Sequence, residues 1–300
     1  MRRVLIGVIA VLALTLTGAP AVSAATGAAH PSGGTVQVGG DVTAPATLTA
    51  AQIAAFPSTT LPLATPGGTH GTVTGALLTE VLGSTGPLFG LGKNPQLHAV
   101  VAVTGQSGWR INLAYGELDP GFGNHPALLT VTGGTVSLVV PGDTSRLRSV
   151  PRVSSITLTS LTTPVTTPPA GAVTVVRGDR TVTLSAATLA RLPQQQRSVT
   201  FLAGPTRQTH TEQGPALTTV LLAAGIPPVP NATVTAVGSD GYGATVTNGE
   251  ALLGGRPLLL SLVEDGAALA QPRLVPDGDV KGGRYVSGVV TIAVARSEPW

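Results

Sequence analysis

The sequence has no cysteine, and its single methionine is the initiator. Disulfide scaffolds, thiolate zinc sites, iron–sulfur clusters and cysteine nucleophiles are therefore excluded. Aromatic residues make up only 3% of the chain, too few for a platform on which unpaired bases stack. Charged residues are also scarce at 10%, yet 42% of residues are hydrophobic, so a packed chain is expected. The formal net charge is +3, but Arg2 and Arg3 belong to a removable leader. Without them 15 basic residues face 14 acidic ones, a balance that gives no phosphate-tracking field and no nucleic-acid partner. The 300 residues suffice for one large domain or two modest ones.

The leader reads as a secretory signal. Met1-Arg2-Arg3 precedes an apolar run over 4–16, and Ala21-Val22-Ser23-Ala24 offers small residues for cleavage after Ala24. The run falls short of the roughly 20 residues a membrane span needs. The paired arginines fit a twin-arginine signal in part, but no polar residue precedes them, which favours general secretory export. A secreted or extracytoplasmic protein is expected, touching a membrane only during export.

The mature chain repeats itself. Leu48-Thr49-Ala50-Ala51-Gln52-Ile53-Ala54-Ala55-Phe56-Pro57 returns as Leu184-Ser185-Ala186-Ala187-Thr188-Leu189-Ala190-Arg191-Leu192-Pro193. Gly75-Ala76-Leu77-Leu78 returns as Gly214-Pro215-Ala216-Leu217, Gly108-Trp109 as Gly241-Tyr242, and Arg148-Ser149-Val150 as Arg284-Tyr285-Val286. The blocks keep their order at a spacing too long for a solenoid, which points to a duplicated domain. The expected boundaries are a signal at 1–24, a flexible start at 25–34, copy one at 35–160, a linker at 161–171 and copy two at 172–297. The linker holds Thr162-Thr163-Pro164-Val165-Thr166-Thr167-Pro168-Pro169 and reads as extended and semi-rigid.

Each copy reads as α+β, with β-strands dominant and two short helices near its front. Thr49 with Gln52 forms a capping-box start, Ser185 is the equivalent N-cap, and Pro57 and Pro193 are stops. Pro215 fits the first turn of the second helix in copy two. Thr132-Gly133-Gly134-Thr135 and Asp265-Gly266 are hairpin signals.

Few constellations carry chemistry. The five histidines, His30, His70, His98, His125 and His210, are scattered and form no zinc motif. No Gly-x-Ser-x-Gly occurs, so Ser107-Gly108 and Ser239-Asp240-Gly241 read as turns. Glu117 and Glu250 recur after a glycine and are the candidates for paired-carboxylate chemistry, though a position that recurs in a duplication can be simply structural. Asp277-Gly278-Asp279 lacks the further oxygens of a calcium loop. The most informative stretch is 272–286, with Arg273, Lys281, Gly282, Gly283 and Arg284. Cations among glycines suit an oxyanion approached by backbone N–H groups. Copy one keeps Arg146 and Arg148 there but not the lysine or the paired glycines.

These blocks, in this order, resemble the molybdopterin-binding oxidoreductase domain of the sulfite oxidase superfamily, over nearly all of each copy. The resemblance implies a strand ending in a molybdenum-ligating cysteine, and that position falls on Leu202 in copy two and Leu63 in copy one. Neither leucine binds a metal. It also implies that Lys281, Arg284, Arg273, Gly282 and Gly283 would face a pterin phosphate or an anionic substrate. The expectation is a retained fold with a discarded catalyst, no cofactor, and a small anionic ligand or extracellular partner. A molybdopterin-dependent oxidoreductase working through copy two, and a structural extracellular module, are the competing expectations.

Overall fold

The computed structural model describes residues 34–65 and 68–295; the signal segment, its cleavage site, His30 and nearly all of the expected flexible start lie outside them. The first half runs β1 (Thr35–Gly40), β2 (Ala46–Thr49), α1 (Ala50–Ala54), β3 (Ser58–Thr65), β4 (Gly68–Leu77) and α2 (Leu78–Gly83). It continues with β5 (Ala99–Gly105), β6 (Arg110–Ala114), α3 (Tyr115–Leu118), β7 (Leu128–Thr132), β8 (Thr135–Val139) and β9 (Val153–Ser160). A five-stranded sheet has the order β2-β1-β9-β5-β6 and a four-stranded sheet the order β3-β4-β7-β8. Only the β1–β9 pairing is parallel.

The second half begins with β10 (Val173–Arg177), β11 (Arg180–Leu184), α4 (Ala186–Arg191), β12 (Gln194–Ala203), β13 (Thr206–Pro215) and α5 (Leu217–Ala223). It ends with β14 (Thr233–Gly238), β15 (Gly243–Thr247), α6 (Asn248–Leu252), β16 (Leu258–Glu264), β17 (Ala267–Pro276) and β18 (Val289–Val294). Its sheets, β11-β10-β18-β14-β15 and β12-β13-β16-β17, have the strand order of the first half, and β10–β18 is the parallel pair. The fold is β-rich, with few and short helices. No helix among the described residues is long and apolar enough to cross a membrane.

Local chemistry accounts for most elements. Thr49 accepts from the Gln52 N–H while the Gln52 side chain accepts from the Thr49 N–H, a complete capping box. Ser185 caps α4 through the Thr188 N–H. Asp265 and Gly266 both carry positive φ, 50° and 81°, as a tight turn between twisted strands requires.

Two expectations need correction. Each half has three α-helical segments, not two; α3 and α6 span only a turn or so, too short for an apolar period to register. Pro215 closes β13, paired with Gln194, and is not in the first turn of α5. The strand ladder there runs on until the chain turns into the helix.

Each half has its own core, but Leu97 of the first half belongs to the core of the second. The halves are joined by side chains that substitute for backbone pairing. The Asn112 N–H donates to Asn231 Oδ1 at 3.1 Å, and Asn231 Nδ2 donates to the Arg110 carbonyl at 2.6 Å. The linker lies along β18, where the Thr166 N–H donates to Thr291 Oγ1 and its hydroxyl to the Val290 carbonyl.

Candidate binding cleft between the halves

Each half buries one arginine between two carboxylates. In the first, Arg148 donates through Nη1 and Nη2 to Glu117 (3.0 and 2.7 Å) and through Nε and Nη2 to Asp143 (2.7 and 2.6 Å). In the second, Arg284 meets Asp279 (2.8 and 2.6 Å) and Glu250 (2.8 Å). Each Glu stands on the short helix that sequence periodicity does not reveal. The fourth member differs: His125 contacts Asp143 at 2.9 Å, whereas Arg256 donates to Asp279 at 2.8 Å. Burial alone would raise the Asp143 carboxyl, but hydrogen bonds from Arg148 and His125 outweigh it and hold the group below its ordinary value.

Beside the second network an open cleft of about 840 Å³ lies between the halves. Its first-half wall is the loop carrying Leu91, Lys93 and Asn94, followed by His98 and Phe122. The second half contributes Phe201, Leu202, Asp240, Tyr242, Lys281 and Tyr285 among others. Both lysines of the chain therefore line one cleft. So do two of its four phenylalanines and two of its three tyrosines. Neither lysine takes part in an ion pair among the described residues. Lys93 Nζ sits 5.7 Å from the centre of the Tyr242 ring, within cation–π range. The Tyr242 hydroxyl donates to the Gly283 carbonyl and accepts from Asn94 Nδ2 (3.1 Å), so it ties the two walls together. Burial lowers the His98 pKa and so favours its uncharged form. Burial, with Asp279 nearby, pushes the Tyr285 phenol up and keeps it protonated.

The expected anion loop divides here. Lys281 is exposed in the cleft, and Gly282 and Gly283 line it. The glycines have a steric role as well: an added Cβ would stand 2.8 Å from the Phe201 ring at Gly282 and 2.2 Å from the Phe122 ring at Gly283. They admit the aromatic walls. Arg284 does not face the cleft, since it is fully buried between carboxylates. Arg273 is likewise engaged, by Glu212 and Glu264, with Nε donating to Ser287 at 3.1 Å. A cation surrounded by glycines looks the same in sequence whether it meets a ligand or a buried acid. The recurring Glu117 and Glu250, matched to the recurring Arg148 and Arg284, were the signal for the buried pairs.

The two halves are not equivalent at this position. Leu202 lines the cleft, with its N–H donating to the Val280 carbonyl at 3.0 Å. In the first half Leu63 sits half-buried beside Ala64, whose carbonyl accepts from Arg146 at 2.9 Å and whose N–H donates to the Pro141 carbonyl. Thr144 and Ser145 then close onto the Leu253 carbonyl of the second half. The facing loops differ as well. Residues 84–98 connect α2 to β5, whereas the shorter stretch 224–232 connects α5 to β14 and carries no lysine.

Glu117, His125 and Asp143 bring ligand-type atoms within 4.8 Å of one another. The guanidinium of Arg148 already engages both carboxylates there, which excludes a cation for as long as it stays. The molybdopterin implied by the resemblance fares no better. At the position where the resemblance expects a thiolate stands Leu202, whose side chain is hydrocarbon, and the nearby Arg284 and Arg273 are bound to carboxylates. The residues present do not fit that centre.

No protein-family model matches the sequence, and no curated protein matches it. Among solved structures the chain is similar to the sulfane dehydrogenase SoxCD from Paracoccus pantotrophus, at 14% identity and a TM-score of 0.36. The similarity covers 56% of this chain and 49% of that one, so the chain spans about half the length of that structure.

Proposed function

We propose that the protein is an exported, non-catalytic binding protein that takes a small anion into the cleft between Lys93 and Lys281. The observation that carries this reading is the convergence of both lysines, unpaired, on one cleft. The two halves are inferred to be degenerate copies of the sulfite-oxidase-type molybdopterin domain. The ordered recurrence of the sequence blocks and the repeated strand order support that inference. Leucine at the expected thiolate position supports the loss of the original chemistry. Export rests on the leader.

Fluorescence titration of the mature protein with 8-anilinonaphthalene-1-sulfonate tests the reading. Saturable emission is expected, and Lys93→Ala with Lys281→Ala should weaken it about tenfold or more while the thermal midpoint holds, since a hydrogen bond to a charged group contributes roughly 1.5–3 kcal/mol. Binding that ignores both lysines would sink the proposal and favour a purely structural module.

A further inference from the structure

We infer that the ligand is a planar aromatic monocarboxylate; this rests on the anion-binding reading of the cleft and narrows it. Three observations separate such a ligand from a compact oxyanion such as phosphate or sulfate.

The first is the donor set. Oxyanions with several equivalent oxygens are best held by the forked guanidinium of arginine. Arg284 and Arg273, the two arginines the sequence places beside the cleft, are bound to carboxylates. What remains free is two ammonium groups, each a point charge on a flexible stem. Point charges of this kind suit a single carboxylate better than a cage around several equivalent oxygens.

Charge is the second. The charged side chains on the cleft wall are Lys93, Lys281 and Asp240, two cations against one carboxylate. His98 lies in the same wall, and its burial works against a third positive charge. A monoanion balances this wall; a dianion overfills it.

The third is the ring content of the wall. Phe122, Phe201, Tyr242 and Tyr285 all border the cleft in a chain that is only 3% aromatic. Phe201 and Tyr285 lie with ring centroids 4.2 Å apart, and glycines at 282 and 283 leave room for Phe201 and Phe122 to stand where they do. The Tyr242 hydroxyl is already bonded on both sides, to Gly283 and Asn94, so what Tyr242 has left to offer a ligand is its ring. Rings bordering a pocket favour a flat π-system in offset or edge-on contact, and the ammonium of Lys93 is already placed above one of them.

The test uses the mature full-length protein and three carboxylate probes followed by ligand-observed NMR, so that it does not depend on the fluorescent reporter. 2-Naphthoate should bind; decahydro-2-naphthoate, which has the same charge and no π-face, should bind about five- to tenfold more weakly, as expected for the loss of aromatic and cation–π contacts. Inorganic sulfate should compete poorly. Tyr242→Leu should lower naphthoate affinity by a similar factor, whereas Tyr242→Phe should retain most of it. Equal binding of the saturated and aromatic acids, or tighter binding of sulfate, overturns the aromatic assignment and leaves the anion-binding cleft standing. Equal binding of neutral naphthalene-2-carboxamide overturns the carboxylate part. Naphthoate that does not bind while the anilinonaphthalene sulfonate does overturns this inference alone; if neither binds, both readings fall.

Discussion

The aliphatic stem of Arg284, in the second half, rests on Gly116 in the first: a Cβ added there would stand 2.8 Å from Arg284 Cδ. The relationship is reciprocal, because a Cβ at Gly249 would stand 2.9 Å from Arg148 Cδ. Each buried arginine thus pairs with the carboxylates of its own half and packs on the glycine that precedes the paired glutamate of the other. Self-complementary exchange of this kind is the signature of an isologous interface, here formed within one chain.

Gly116→Ala and Gly249→Ala should therefore each destabilise the protein by about 1–3 kcal/mol, the usual cost of overpacking a filled interior. Urea unfolding gives the measurement. A neutral result at both positions would mean that the arginine stems move aside freely.

Removing Arg148 should cost more. Arg148→Met leaves Glu117 and Asp143 buried without their cation, a loss of roughly 3–5 kcal/mol for a broken buried pair. Acid acts on the same network. The Asp143 carboxyl is held below its ordinary value of 3.8 in the folded chain, so its contribution is fully present above that value and is lost as pH falls through the lower folded one. The urea midpoint should drop on acidification below about pH 4, and Asp143→Asn, though less stable at neutral pH, should show a shallower acid decline.

Gly283→Ala should disturb the cleft directly, because the new methyl would fall 2.2 Å from the Phe122 ring. Loss of anilinonaphthalene sulfonate binding is expected, with destabilisation of about 1–3 kcal/mol. Adding Phe122→Ala should restore stability in part by making space, while binding stays weak because a wall ring is gone.

Asn231 forms a sequon with Ala232 and Thr233, yet it is only 8% exposed and bonded to the first half. Intact mass measurement of the protein from a glycosylating host should find no glycan on Asn231. Asn231→Ala should cost about 1–2 kcal/mol, since it leaves partly buried backbone groups of β6 without partners.

Much of the β-rich layout is legible in the sequence because caps and hairpin turns are local signals: Thr49 with Gln52, Ser185, and Asp265-Gly266 each act where they stand. The long hairpins β3–β4 and β12–β13 are less so. Their exposed faces are threonine- and glutamine-rich and show little apolar alternation. At the site, Lys281 is found by its rarity and its glycine neighbours. Lys93 is not, because what places it in the cleft is a loop from the other half, and no local pattern encodes which loops face each other. The roles of Arg284 and Arg273 are only partly local, because Asp279 and Glu264 lie 5 and 9 positions away but Glu250 and Glu212 lie 34 and 61 away.

Leu97 gives the arrangement a thermodynamic edge. It leaves the loop that carries Lys93 and inserts into the core of the opposite half, so the rim of the cleft holds its shape only while that core is intact. Partial unfolding of the second half would dismantle a wall that belongs, by sequence, to the first. The two halves should therefore melt in a single transition even with the cleft empty, and occupancy would raise that transition further.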